Sequence, residues 1–348
     1  MNKRIQKLIE GMKPLGIDTL IITDSKNMHY YSGMRDGEGC LLISESGCTV
    51  YTDSRYTEYA QSVCKGFDVC DSAAYKIGEL IAPGNVCGFE NLSISYSRYL
   101  SLSKAAETLI PAGDLTVSLR QIKDESELKY IREAVAIADR AFEHICSYIR
   151  VGMTEKEIAA EIDCFMLKNG GEGNSFDTIV AAGERGSLPH AIPTDRPVKE
   201  GELVVMDYGC KVGGYCSDMT RTVATGNVSQ ELKAVYDTVL DAQLSALDGV
   251  CAGAGADKVD LIARSKLDSV YPGCFGHSLG HGVGLDIHES PNLSPKNPRL
   301  LEAGNVVTVE PGVYIPQKCG VRTEDMVVVT ENGCEILTKS PKIMVKVG

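Results

Sequence analysis

The feature that most constrains this chain is a repeat. Beyond its first third, one order of helix, glycine turn and strand comes twice, at an offset of about 103 residues. "ELKYIREAVAIADRAFEHI" from Glu127 resembles "ELKAVYDTVLDAQLSALDG" from Glu231. Gly152, ahead of "MTEKEIAAEID", corresponds to Gly255, ahead of "ADKVDLIARSKLD", and "GELVVMDYG" at Gly201 corresponds to "GNVVTVEPG" at Gly304. The superposition lays Asp207 on Glu310 and brings Asp218 of "SDMTRT" close to Glu324 of "RTED", after a slightly longer turn. The pattern predicts two α-β halves related by a pseudo-two-fold, each offering two carboxylates from a hairpin to a shared centre. Neighbouring Val, Met and Thr side chains argue against exposed strand faces.

The first of these hairpins is "VVMDYGCKVGGYCSDMT", Val204 to Thr220. A two-residue loop at Val212-Gly213 sets the aspartates directly opposite one another, whereas a loop at Gly213-Gly214 makes them diagonal neighbours on one face. Either register crowds like charges, so something positive should lie between them. Oxygen-rich sites suit hard divalent ions, and added imidazole favours Mn, Fe, Co or Zn over Ca. "GHSLGHGVGLDIHES" supplies His277, His281 and His288 among Gly276, Gly280, Gly282 and Gly284, which disfavour helix and allow close backbone approach. His190 in "GSLPHAIPT" is held between Pro189 and Pro193 in a stiff, extended loop. His29 and His144 are given no role. Two divalent ions about 3.5–4 Å apart can share a water, lower its pKa and polarise a carbonyl, which does hydrolysis without a nucleophilic side chain. No competing G-x-S-x-G elbow, phosphate-binding glycine loop or dinucleotide fingerprint is found.

Residues 1–118 read as a small α/β domain, with a helix at "RIQKLIEGMKPLG", a strand at "DTLIIT" and a hairpin from "GCLLIS" to "CTVYTD". "KIGELIA" predicts a further helix and "NVCGFE" a further strand. Asp124 and Glu127 resemble a capping box that opens a long amphipathic helix, the start of a second domain over 119–348. The 348 residues allow two domains of ordinary size. A net charge of −12 with no basic stripe argues against a nucleic-acid partner, and no apolar run reaches the ~18 residues of a membrane span. The basic tip has no apolar stretch behind it, so no signal peptide is expected. Thirteen cysteines without a C-x-x-C pair read as reduced thiols in a cytoplasmic protein.

In the order Asp207, Asp218, His281, Glu310 and Glu324, within "MDYG", "SDMTRT", "GHGVG", "VEPG" and "RTED", the chain resembles the pita-bread metallopeptidases, which include methionine aminopeptidase, aminopeptidase P, prolidase and creatinase. The likeness spans the whole chain, because residues 1–118 look like the creatinase-type N-terminal domain. It implies an α/β (α+β) fold: that small domain followed by a pseudo-two-fold pita-bread catalytic domain. It further implies that Asp207 chelates one metal, that His281 and Glu310 bind a second, and that Asp218 and Glu324 bridge both. Two ions, Mn first and Co, Zn or Fe as alternatives, would hold a bridging hydroxide as nucleophile. Glu310 would relay a proton to the leaving nitrogen, one metal and a histidine, His288 or His190, would steady the oxyanion, and His277 and Arg322 would lie on the substrate side, Arg322 equally placed to hold a carboxylate ligand. The small domain disfavours a methionine aminopeptidase, and the complete ligand set disfavours creatinase. The resemblance thus implies cleavage at Xaa-Pro in proline-containing peptides by a homodimer. "YTDSRYTEYA" looks more like aminopeptidase P than prolidase, which stays as the alternative. An inactive peptide-binding module is the reading from a different class.

Overall fold

The computed structural model describes residues 2–348 as two compact units, one ending at Arg120 and one running Gln121–Gly348. In the first, the apolar stretch Thr19–Ile22 is fully buried at the middle of a six-stranded mixed sheet. It pairs antiparallel with Cys40–Ser44 and parallel with Val86–Phe89. Cys40–Ser44 turns back into Gly47–Thr52 through Glu45-Ser46. Helix Lys3–Met12 starts on an Asn2 cap and buries Ile5, Leu8, Ile9 and Met12, the i, i+3, i+4, i+7 stripe of an amphipathic helix. "KIGELIA" does not form the expected α-helix. Only a 3-10 turn, Ile77–Leu80, appears there, since Gly78 lies inside the stretch and Pro83-Gly84 closes it before a nucleus can propagate.

The second unit shows the repeat as two α-β halves with a core each. Asp124 caps helix Glu125–Tyr148 with a reciprocal capping box, as expected. This helix and Glu155–Lys168 cover a sheet ordered Lys346–Val347, Met219–Thr225, Leu203–Tyr208, Ile179–Ala182, with Ile158, Ile162, Val204 and Met206 in the core between them. In the second half, helices Gln230–Asp248 and Ala256–Val270 cover a sheet ordered Glu289–Leu293, Gly280–Gly282, Val306–Val309, Asp325–Thr330, Gly333–Ile336. Val239, Val259, Val307 and Val327 fill that core. The inner strands are buried on both faces, which is why they read as continuous apolar runs. The halves are stitched where Glu324 N–H donates to Thr220 O at 3.1 Å. Among the described residues no helix is long and apolar enough to cross a membrane.

Candidate metal centre

Strand register sets the acids. Asp207 lies opposite Thr220 and Val212 opposite Tyr215, so the loop is Gly213-Gly214, with φ of 59° and 79°. Positive φ at both positions is the two-residue hairpin turn that only residues like glycine adopt freely. Asp218 therefore sits diagonally to Asp207, the second of the two registers considered. In the other half the ladder ends where Val309 pairs with Asp325, and Glu310 and Glu324 are the residues immediately beyond that last pair. His281 reaches the same centre from Gly280–Gly282, where a Cβ on Gly280 would fall 1.9 Å from the Thr308 carbonyl oxygen. Glycine alone permits that approach, and it lets Thr308 Oγ1 accept the His281 N–H at 3.0 Å.

These side chains form one cage. His281 Nε2 lies 3.5 Å from Asp218 Oδ2 and 3.3 Å from Glu310 Oε1, and donor atoms of Asp218, His281 and Glu324 fall within 4.8 Å of one another. The His281 Nδ1 faces the Gly282 carbonyl at 3.1 Å, which can only accept, so Nε2 is the nitrogen turned to the acids. Arg322 donates to Asp207 Oδ2, to Thr220 Oγ1 at 2.9 Å, to Tyr314 Oη at 2.8 Å and to Pro189 O at 3.2 Å. Thr220 Oγ1 in turn donates to Glu324 Oε2 at 2.7 Å. Of the two placements considered for Arg322, the geometry has it holding Asp207, with four of its five N–H groups committed to the protein.

The cage is short of positive charge. Asp207 Oδ1 and Glu324 Oε1 are buried with no hydrogen-bond partner within the protein. Burial and then the neighbouring carboxylates push Asp218 and Glu324 well above the usual carboxylate range. Burial also raises Asp207, against the pull of Arg322. Burial would raise Glu310 too, but the hydrogen bond and charge of His281 bring it below its ordinary value. Burial would lower His281, yet its contact with Glu310 lifts it. Buried carboxylate oxygens without donors, beside an imidazole nitrogen facing inward, are what divalent cations satisfy, so the residues present fit such ions.

Asp207, Asp218, His281, Glu310, Glu324, Arg322, His190, His277 and His288 all line one cavity of about 730 Å³. His288 stacks edge-on to His281, ring centroids 4.4 Å apart, and is exposed on the cavity like His190. His277 is tied by Nδ1 to Ser278 O at 2.8 Å and by Nε2 to Tyr314 Oη at 2.9 Å. Burial lowers the pKa of both His277 and His288. Tyr314 and Thr220, which link Arg322 to His277 and to Glu324, were not singled out in the sequence. Their only signal is a place on strands next to the acids. Phe176, Ile179, Ile192 and Ile287 add apolar wall.

Residues 129–331 match the profile of metallopeptidase family M24, and residues 4–122 that of the creatinase/prolidase N-terminal domain. The chain is 36% identical to an Xaa-Pro dipeptidase of Pyrococcus furiosus, over 98% of this chain and 99% of that protein. Among solved structures, an Xaa-Pro dipeptidase from Bacillus anthracis superposes with a TM-score of 0.96 at 39% identity, covering 99% of each chain. An X-Pro aminopeptidase from Thermotoga maritima superposes with a TM-score of 0.91 at 38% identity, covering 97% of this chain and all of that one.

Proposed function

The chain belongs to metallopeptidase family M24, and from that premise we propose that it hydrolyses the bond before proline at peptide N-termini, as an Xaa-Pro aminopeptidase. The observation that carries the chemistry is the cage itself: four carboxylates and one imidazole, with two of the carboxylates each keeping a buried oxygen that nothing in the protein satisfies. Divalent cations bound there would supply an acidified water and a polarised carbonyl.

In this reading Asp207, Asp218, His281, Glu310 and Glu324 hold two cations, Mn first and Co, Zn or Fe as alternatives. Arg322 fixes Asp207 in the orientation that a ligand needs. The scissile bond is a tertiary amide whose nitrogen carries no proton, so as the C–N bond breaks that nitrogen must gain one, and Glu310, held ionised by His281, accepts a proton from the attacking water and passes it on. His190 and His288, exposed on the cavity, donate to the carbonyl oxygen as negative charge grows on it. His277, fixed by Tyr314, and the apolar wall of Phe176, Ile179, Ile192 and Ile287 hold the residues either side of the bond. The same reading includes a cytoplasmic homodimer, and thirteen unpaired cysteines support a reducing compartment.

The branch follows from charge. A dipeptide Xaa-Pro ends in a carboxylate beside the ring, and selecting it calls for a cation with free donors. Among the described residues Arg322 is the single Lys or Arg lining the cavity, and it is buried and engaged, while Asp177 joins the four cage acids. His277 and His288 are held toward their neutral forms by burial. This favours peptides that continue past proline. The test is a rate comparison on Mn-reconstituted protein between Leu-Pro-Gly, Leu-Pro and Leu-Pro-amide. The tripeptide should be fastest, with the amide recovering most of what the free dipeptide loses. A preference for Leu-Pro would establish the prolidase instead, and binding without turnover of any of the three would establish a peptide-binding module.

A further inference from the structure

Each half of the catalytic unit contains a fully buried acid paired with a partly exposed arginine, and neither pair touches the cage ligands. In the first half the acid is Glu155, at the start of helix Glu155–Lys168. Its Oε1 accepts from Ala182 N–H at 2.9 Å, and its Oε2 from Thr194 N–H at 3.0 Å, Thr194 Oγ1 at 2.7 Å and Arg185 Nε at 3.0 Å. Arg185 Nη2 then donates to Ile192 O at 2.6 Å. The segment 182–194 is thereby closed on one carboxylate, and His190 stands inside it. In the second half the acid is Asp260, on helix Ala256–Val270. It takes Arg264 Nε at 2.7 Å and Nη2 at 2.9 Å, and the Leu279 N–H at 3.0 Å. Arg264 also donates to Phe275 O at 2.9 Å and His277 O at 2.8 Å, with its guanidinium 4.3 Å from the Phe275 ring centroid. His277 stands inside that closure.

The two devices are not copies of one ancestral residue. The repeat aligns Glu155 with Lys258 and Asp260 with Glu157, and the arginine comes from the short 3-10 helix Gly183–Ser187 in one half and from the same α-helix as its acid in the other. Two different constructions that end on two histidine-bearing segments of one cavity point past simple loop anchoring. We propose that Arg264, held by Asp260, is a positioning residue for His277, and that Arg185, held by Glu155, is a positioning residue for His190. This rests on the peptidase reading for what the histidines do, though not for the geometry. A guanidinium is needed because it bridges a carboxylate and one or two carbonyls in one plane, which an ammonium does not reproduce. Small misplacement of a group facing substrate is enough to be felt in rate or binding.

The test uses the full-length, metal-replete protein and Arg264→Lys and Arg185→Lys. Arg264→Lys should raise KM about tenfold with kcat within about threefold, and Arg185→Lys should lower kcat about tenfold with KM little altered. In a His277→Ala background Arg264→Lys should cost nothing further, and likewise Arg185→Lys in His190→Ala, because each pair acts as a unit. Equal cost in both backgrounds would reduce the pairs to structural anchors and overturn the proposal. Should Arg264→Lys fail to fold, Asp260→Asn with Arg264→Gln removes both charges together and answers in the same cycle. Wild-type protein inert on Xaa-Pro peptides would refute the activity and not the clamp. Histidine ring 15N spectra then decide: Arg264→Lys must shift or broaden the His277 resonances and spare those of His190, and an unmoved His277 overturns it.

Discussion

The two halves of the catalytic unit give the centre the same kind of side chain in different registers. In the first, Asp207 and Asp218 are diagonal across a hairpin closed by Gly213-Gly214. In the second, Glu310 and Glu324 are the residues next to the last paired positions, Val309 and Asp325, where the ladder ends. Each inner acid has a positive partner, Arg322 for Asp207 and His281 for Glu310. The outer acids, Asp218 and Glu324, are buried against each other and against the rest; Asp218 shares His281 with Glu310, at 3.5 Å, and Glu324 accepts from the Thr220 hydroxyl. The difference teaches where added charge must go. The inner acids belong to the protein's own ion pairs, and the outer acids face each other across the space between the halves.

The largest effect should therefore come from the outer pair. Asp218→Asn or Glu324→Gln is expected to lower kcat by roughly 10³-fold while the protein stays folded, a loss of the size seen when a preorganised electrostatic group is removed. Steady-state rates and a thermal unfolding midpoint check this together, and near-normal turnover would break the comparison. Removing an inner partner should do less. Arg322→Met leaves Asp207 in place but unheld, and should weaken metal affinity about 10–100-fold, as read by metal titration.

A smaller effect sharpens the same distinction through pH. The raised carboxyls of Asp218 and Glu324 mean that, without metal, the folded state holds protons the unfolded chain has released. Their contribution to stability is fully present below the unfolded carboxylate pKa of about 4 and is lost as pH rises through the raised values. Denaturant unfolding of the metal-free protein should accordingly show stability falling with rising pH over that window. Asp218→Asn should flatten the slope, and an identical slope in the variant would place the protons elsewhere. The smallest change expected is Ile192→Ala. Its side chain lines the cavity while 79% exposed, and its loss should raise KM only a few-fold, in line with one apolar contact.

Much of the cage was legible in the sequence, because a repeat that carries acids onto acids is a long-range signal that survives low identity. The glycines around His281 were legible too, since close backbone approach leaves no other residue type. The hairpin register was not, as both glycine turns satisfy the local pattern and only tertiary pairing chooses. "KIGELIA" misled because helical spacing over seven residues says nothing about whether a nucleus can form beside Gly78 and Pro83-Gly84. Tyr314, Thr220 and the Glu155–Arg185 pair act through contacts between separate segments that no local pattern marks, and the i,i+4 spacing of Asp260 and Arg264 shows a helical ion pair without showing that it reaches the His277 loop.

The most direct measurement is a divalent-cation titration of the metal-free protein by equilibrium dialysis with elemental analysis. Two Mn equivalents should bind to the wild type, and Asp218→Asn and Glu324→Gln should each lose at least one. A wild-type protein that binds no cation, or outer-acid variants that still bind two, would contradict the cage as the centre of this enzyme.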